Sequence, residues 1–156
     1  MNTPAFSSSK AASREAAPYH LAVVGGGIVG RACALRLAQI GLRIAHIAPP
    51  APAATPAGPD AWDARVYAFS SSSQALLEQL RIWPALDMTR VQPVHDMRIF
   101  GDDAAARGEH AHPDLHFSAY AAGTPQLAWI AESSLVERAL ETALRFAHTV
   151  QTFAHA

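Results

Sequence analysis

The residues that most clearly indicate chemistry are four glycines near the start of the chain. Residues 25–30 read GGGIVG and fit the pattern G-x-G-x-x-G. When this pattern joins a strand to a helix, the first glycine allows a tight turn and the second lets the backbone approach a diphosphate closely. The third permits close packing of the helix on the strand. Free N–H groups at the start of the helix would then bind the diphosphate.

The segments on either side of these glycines have the patterns that a dinucleotide site requires. Leu21–Val24 is a short apolar run rich in β-branched residues, which predicts a buried strand. Residues 28–40 have apolar positions at helical spacing, and Gly41 is typical of a helix end. Residues 42–47 predict a second buried strand. The sequence therefore predicts a β-α-β unit, a context that disfavours a glycine-rich turn in an unrelated α/β protein.

The acidic residue that usually accompanies this pattern is missing. An Asp or Glu about 20 residues after the glycines normally binds the adenosine ribose. Ala48 occupies this position, and no acidic residue lies between Ala16 and Pro59, so Asp60 or Asp63 would have to fold back to serve. No Arg or Lys follows the strand to bind the 2′-phosphate of NADP. The ribose is therefore expected to be held differently or weakly.

The other reactive side chains do not specify a second site. Cys33 is the only cysteine, so no intramolecular disulfide can form, and its place in the predicted helix indicates a small core residue. His110, His112 and His116 lack a cysteine partner and a fixed helical spacing. We interpret them as part of a solvated loop and predict no metal site.

Composition excludes several classes of protein. The chain has 156 residues, half of them hydrophobic, and a net charge of −1, which gives no electrostatic support for nucleic-acid binding. No apolar stretch is long enough to span a membrane. Residues 1–18 lack the apolar segment of a secretory signal and are predicted to be a disordered extension. A cytoplasmic location is expected.

The segment after the β-α-β unit begins with a proline-rich surface loop at residues 49–62. Residues 66–69 are strand-like. Ser71 and Gln74 form a capping box for a short helix at 74–80. A second short helix is expected to follow, with a buried tryptophan as its anchor.

The second half of the chain changes to strands. Residues 97–100, 115–120 and 126–131 predict strands of a small antiparallel sheet, the last two being joined by a Gly-Thr-Pro turn. Ser134 and Glu137 form another capping box, which predicts an amphipathic helix at about 135–146. Residues 149–153 predict the start of one more strand.

Several of these segments together resemble the flavin-dependent aromatic hydroxylases of ubiquinone biosynthesis, which belong to the p-hydroxybenzoate-hydroxylase-like FAD monooxygenases. The segments are GGGIVG at 25–30, DARVYA at 63–68, LRIW at 80–83, MRIFGDD at 97–103 and WIAE at 129–132. The resemblance extends from residue 19 to about residue 153. Its most specific feature is the combination of the glycine pattern with DARVYA.

The resemblance implies an α/β fold, in which a Rossmann-like FAD/NAD(P)-binding β-α-β unit carries part of an inserted antiparallel sheet, truncated relative to the family. Residues 19–156 would form a partial FAD-binding domain, with about 93–132 belonging to the substrate-facing sheet. Carried over by position, the residues that bind FAD would be Gly25, Gly26, Gly27, Ile28, Val29, Gly30 and Arg65. A guanidinium at Arg65 could bind phosphate or ring oxygens in a bidentate manner, and an ordinary surface ion pair is the alternative.

The activity that the resemblance implies is hydroxylation of an activated aromatic ring by reduced flavin and dioxygen, with NAD(P)H as the electron donor. The substrate would be an aromatic small molecule such as a prenylated phenol. Because such a substrate has a long apolar tail, the protein would be expected to associate peripherally with the inner membrane. No catalytic residue is assigned.

Three departures from the family pattern shape this expectation. Ala48 replaces the ribose-binding acid, Ser134 stands where the family has a second cofactor-side arginine, and the chain stops where a third parallel strand should begin. Ser134 is expected to keep its capping role. The chain alone is therefore predicted to be inactive. The two other interpretations are a truncated or degenerate non-catalytic homologue and a small module that binds NAD(P) or an adenine nucleotide.

Overall fold

A computed structural model describes residues 18–49, 62–101 and 115–154. The predicted extension up to residue 17, most of the proline-rich loop, and His110 and His112 lie outside these ranges. The elements, in chain order, are β1 (Leu21–Val24), α1 (Ile28–Gln39), β2 (Ile44–Ile47), β3 (Val66–Phe69), α2 (Ser71–Gln79), β4 (Val91–Val94), β5 (Asp96–Ile99), β6 (Leu115–Ser118), β7 (Ala128–Glu132), α3 (Ser133–Arg145) and β8 (Val150–Phe153), with single-turn 3-10 helices at Trp83–Ala85 and Met88–Arg90.

A parallel sheet contains the glycine pattern and confirms the predicted β-α-β unit. Its strand order is β1-β2-β8, with β2 in the centre. The strand predicted at 149–153 is therefore the third parallel strand. Helices α1 and α3 pack against each other. The side chains of Ile44 and His46 on β2 are buried, whereas Val24 on the edge strand β1 is largely exposed.

The antiparallel strands form two separate groups, which differs from the single small sheet that the sequence predicts. Strand β7 lies between β3 and β4, and β6 pairs with β5 rather than with its neighbour in sequence, β7. Strand β4 was not predicted, because Pro93 in its centre argues against a strand. Its place at the edge of the sheet explains why the proline, which has no N–H to donate, is tolerated there.

Both predicted capping boxes are wrong by one position or more. Helix α2 is capped by Ser70, whose Oγ accepts the N–H of Ser73 at 3.2 Å. Helix α3 begins at Ser133 and has no cap from its own N-cap side chain. A distant carboxylate, Asp63, accepts the N–H of Ser134 at 3.2 Å instead. A tertiary contact has therefore replaced the local cap.

One hydrophobic core joins the parallel and antiparallel parts. It includes residues from α1, β2, β3, α2 and α3, and Trp83 is buried in it as predicted. Aromatic rings run through its antiparallel side, with centroids 6.2 Å apart between Phe69 and Trp83 and 5.7 Å apart between Trp83 and Trp129. Among the described helices, none has both the length and the apolar character needed to cross a membrane.

Candidate dinucleotide-binding site

The turn after β1 depends on the first and last glycines of the pattern. Gly25 has a φ of +131°, a region that other residues rarely adopt, and its N–H donates to the carbonyl of Ile47 at 2.8 Å. A Cβ on Gly30 would lie 2.2 Å from the carbonyl oxygen of Gly25 and 2.9 Å from its carbonyl carbon. Helix α1 can therefore approach the end of β1 only because residue 30 has no side chain.

The second glycine of the pattern faces open space. A Cβ on Gly27 would meet no heavy atom within 4 Å. Gly27 is also the N-cap of α1, and its carbonyl accepts the first hydrogen bond of the helix, from the N–H of Arg31 at 3.0 Å. The N–H groups of the first turn thus have no partner within the helix, and no acidic side chain lies in that turn. This end of α1 is suited to bind an anion.

The end of β2 does not supply a ribose acceptor. Ala48 is buried, and its N–H donates to the carbonyl of Phe153 at 3.1 Å. Asp63 does not fold back towards Ala48, because its carboxylate accepts the N–H groups of Arg65 and Ser134. The pKa of Asp63 is below its ordinary value, chiefly because the N–H of Arg65 donates to its carboxylate. The carboxylate therefore stays ionised at the start of α3. Asp60 lies outside the described residues.

A cleft of about 1020 Å³ opens beside the glycine loop, between α1 and β3. Its lining includes Gly25, Gly27 and Gly30 from the loop and Tyr67 and Phe69 from β3. Its walls are mainly apolar. The loop and the DARVYA segment therefore contribute to one surface of the protein.

Arg65 immediately precedes β3 but does not line this cleft. Its side chain is 72% exposed, and its Nε lies 3.9 Å from Oδ1 of Asp63. An exposed pair of this kind restrains the guanidinium weakly. A role for Arg65 in cofactor binding stays a prediction.

A buried ionic network, which the sequence patterns did not reveal, organises the antiparallel part. The Glu132 carboxylate accepts from Nε and from a terminal nitrogen of Arg90, each at 2.7 Å, and from the N–H of Asp63, also at 2.7 Å. The Arg90 guanidinium lies 4.5 Å from the centre of the Trp62 ring. Mainly because Arg90 hydrogen-bonds to it, the pKa of Glu132 is below its ordinary value. The network ties the DARVYA segment to the start of α3.

A second set of polar side chains lies beneath the glycine loop. Arg31 is buried in α1, with a terminal nitrogen 3.3 Å from the carboxylate of Glu137 on α3. Glu137 also accepts the hydroxyl of Ser133 at 2.8 Å. His46 is buried on β2 and contacts Gly25. The only signal that could have revealed these residues is a polar side chain inside an apolar strand or helix pattern.

The remaining candidates are placed as follows. Cys33 lies on the exposed side of α1 and lines the cleft. The prediction that it is a core residue was therefore wrong. His116 lies on strand β6, so its assignment to a loop was wrong, and its Nε2 lies 2.7 Å from Oδ1 of Asp96. Within the described ranges, no group of three or more His, Cys, Asp or Glu residues could hold a metal ion.

The fold is similar to that of solved FAD-dependent monooxygenases. p-Nitrophenol 4-monooxygenase from Pseudomonas putida has a similar structure, with a TM-score of 0.57 and 19% identity over 85% of this chain and 30% of that protein. A probable FAD-dependent monooxygenase from Pseudomonas aeruginosa, PqsL, has a TM-score of 0.60 and 13% identity over 86% of this chain and 32% of its own. The predicted fold class is confirmed.

Sequence comparison leads to a particular relative. The chain is 35% identical over 129 residues to 3-demethoxyubiquinol 3-hydroxylase from Escherichia coli. The match covers 81% of this chain and 30% of that relative, so the chain spans about a third of the length of the relative. No family model matches the sequence. The resemblance to the ubiquinone-biosynthesis hydroxylases is confirmed.

Proposed function

We propose that this chain is the FAD-binding part of a flavin-dependent aromatic-ring hydroxylase of ubiquinone biosynthesis. The observation that carries the proposal is the difference in the space around Gly30 and Gly27 in the loop after β1. Residue 30 must be glycine for the loop to close, whereas Gly27 faces open space. The likeness to a relative named as a ubiquinol hydroxylase supports the choice of reaction.

The loop fits the diphosphate of FAD. With no side chain at Gly27, a ligand could approach the backbone closely, and the start of α1 offers unpaired N–H groups and the positive end of the helix dipole. The proposed ligands are residues 25–30, joined by Arg65, whose exposed side chain is restrained only by its weak pair with Asp63. When bound, FAD would supply the redox chemistry, with NAD(P)H as the electron donor.

The rest of the cofactor site is proposed to come from residues that the relatives carry in the remainder of their length. Ala48 offers no acceptor to a ribose, and the glycine loop lies beside an open cleft. A flavin ring in such a cleft would need further walls to exclude water. We therefore expect no hydroxylation by this chain alone.

The proposed substrate is an aromatic small molecule, such as a prenylated phenol. The β5–β6 ribbon supports an apolar ligand, because Met97 pairs with Phe117 and Ile99 pairs with Leu115 on one of its faces. All four side chains are exposed. The same face would allow peripheral contact with a membrane that carries a long-tailed substrate. A Phe117→Ser variant should then sediment less with lipid vesicles than the parent protein.

One observation favours a second candidate, a non-catalytic homologue. Ala48 is buried and held by the carbonyl of Phe153, so the place of the missing acid is filled by ordinary packing. Such a protein would keep the fold without retaining flavin. A module that binds NAD(P) or a free adenine nucleotide is a third possibility, and equal affinity for ADP and FAD would favour it.

The test is a visible absorption spectrum of the purified chain, recorded before and after incubation with FAD and removal of unbound flavin. We expect a retained flavin spectrum for the parent protein and none for a Gly27→Val control, whose side chain would occupy the diphosphate side of the loop. A parent protein that stays colourless would contradict the proposal and support the non-catalytic homologue.

A further inference from the structure

His46 is a buried polar side chain in the middle of the parallel sheet. It is 1% exposed and lies on the central strand β2. Burying an imidazole is costly unless its nitrogens find partners. Its Nε2 lies 2.9 Å from the carbonyl oxygen of Gly25, and its Nδ1 lies 3.5 Å from the hydroxyl of Thr152 on β8. The ring therefore connects the glycine loop to the neighbouring strand.

The direction of the first hydrogen bond follows from the chemistry of its two atoms. A carbonyl oxygen can only accept, so Nε2 carries the proton and donates it to Gly25. The same oxygen is the atom that a Cβ on Gly30 would meet first. The Gly25 carbonyl is thus held between the imidazole and the backbone of α1, on the inner side of the loop.

This placement fixes the direction of the next N–H group. The peptide unit between Gly25 and Gly26 is planar and trans, so the N–H of Gly26 points opposite to the Gly25 carbonyl. It therefore points away from the His46 ring, towards the opposite side of the loop. Within the described ranges it forms no hydrogen bond. An outward N–H at this point adds a donor to those at the start of α1.

We propose that His46 is a positioning residue for the glycine loop, which holds the Gly25 carbonyl inward so that the Gly26 N–H faces a bound diphosphate. The consequence for binding rests on the proposed function, because it assumes a diphosphate ligand. The effect on the loop itself does not. His46 touches neither the ligand nor the reacting atoms and acts only through Gly25.

The experiment compares two substitutions of His46 in the full chain. His46→Leu packs in the strand but cannot donate, whereas the side-chain amide of His46→Gln can donate to the Gly25 carbonyl. Ile44→Val is the matched control, because Ile44 is also buried on β2 but pairs with Leu21, at the end of β1 away from the loop. The ligands are ADP and FAD, titrated by calorimetry, and the free energy of unfolding of each variant is measured alongside.

We expect His46→Leu to weaken ADP binding about tenfold, which corresponds to about 1.4 kcal/mol. His46→Gln should restore the affinity to within about threefold of the parent, and Ile44→Val should leave it unchanged at similar stability. A general loss of stability would weaken binding in Ile44→Val as well. Equal ADP affinity in the parent and in His46→Leu, or no rescue by His46→Gln, would overturn the proposal.

A second measurement needs no ligand. The carbonyl ¹³C chemical shift of Gly25 and the ¹⁵N shifts of the His46 ring report on the hydrogen bond directly. We expect an Nε2–H tautomer and a Gly25 shift that changes in His46→Leu but recovers in His46→Gln. If the parent binds neither ADP nor FAD, the proposed function fails, and an unchanged Gly25 shift would separately refute the positioning role.

Discussion

The parallel and antiparallel parts of the molecule hold their key groups in place by different physical means. In the parallel part, the shape of the backbone fixes the loop, since Gly30 lies against the Gly25 carbonyl with no room for a Cβ. In the antiparallel part, charged side chains perform this task, through Glu132 and its contacts with Arg90 and Asp63. The first arrangement uses neighbours in sequence, and the second joins residues 42 and 69 positions apart.

This difference determines how each part should respond to substitution. Packing of backbone on backbone leaves no flexible side chain to move aside, so an added methyl group has a steep cost. An ion pair responds instead to the loss of charge and to pH. Changes of shape should therefore damage the glycine loop most, and changes of charge the Glu132 network.

The largest expected effect comes from Gly30→Ala. Its Cβ would lie 2.2 Å from a backbone oxygen, so we expect a loss of about 3 kcal/mol or more in the free energy of unfolding. Gly27→Ala is the matched control, because its Cβ meets nothing and its φ of −81° suits alanine. It should cost less than about 1 kcal/mol while weakening FAD binding. Urea denaturation measures the free energy of unfolding of both variants. Equal losses of stability would contradict the steric explanation.

The next largest effect should come from Glu132→Gln. The substitution keeps the shape of the side chain but removes the buried negative charge of Glu132 beside Arg90, which should cost about 1–3 kcal/mol. Glu78→Gln, at an exposed pair with Gln74, should change stability by less than about 0.5 kcal/mol. Denaturation of both variants at pH 7 provides the measurement. If Glu132→Gln leaves the free energy of unfolding unchanged, the cost of desolvating the ion pair offsets the attraction between its charges.

A pH titration of stability separates the two parts further. The pKa values of Glu132 and Asp63 are lowered from ordinary values of 4.5 and 3.8, so the unfolded chain binds protons first as the pH falls. Stability should therefore decrease from about pH 5 downward and continue to do so until the lowered pKa values are passed. In Glu132→Gln this slope should be shallower. A parent protein that is equally stable at pH 3 and pH 6 would contradict the predicted contribution of these two carboxylates.

The smallest effect should follow from Arg145→Ala on the surface of α3. Arg145 and Glu141 form an exposed pair at 2.8 Å, four residues apart on the helix. Such pairs contribute about 0.3–0.5 kcal/mol, and salt screens them. We expect a shift of this size that disappears in 1 M NaCl. A larger shift would show that this part of α3 matters more to the fold than its exposure implies.

The same difference explains how far the sequence could predict the structure. The glycines and their flanking strands are local patterns, so β1, α1, β2 and the strand at 149–153 were predicted close to their observed bounds. Strand β4 was missed, because a proline such as Pro93 indicates a loop unless the strand is known to lie at the edge of a sheet. The cap of α3 was assigned to Ser134, because nothing in the local sequence shows that Asp63 comes from 71 residues away.

Residues of the candidate site divide in the same way. The loop at 25–30 was predicted from type and spacing, and all of its residues except Gly26 line one cleft. The sequence patterns did not predict roles for His46, Arg31 and Arg90. A buried polar residue can be recognised only from its partners in the folded structure. Cys33 was placed on the wrong side of α1, since the weakly amphipathic helix pattern, rich in alanine, does not specify its buried face.

The distribution of the tryptophans gives the two parts separate optical signals. All three, Trp62, Trp83 and Trp129, belong to the antiparallel part, and the parallel sheet has none. Tryptophan fluorescence therefore follows the antiparallel part, while circular dichroism follows the whole chain. If the two transitions coincide during unfolding, the shared core makes the molecule a single cooperative unit. If they separate, the glycine loop can melt while the indoles still report a folded protein.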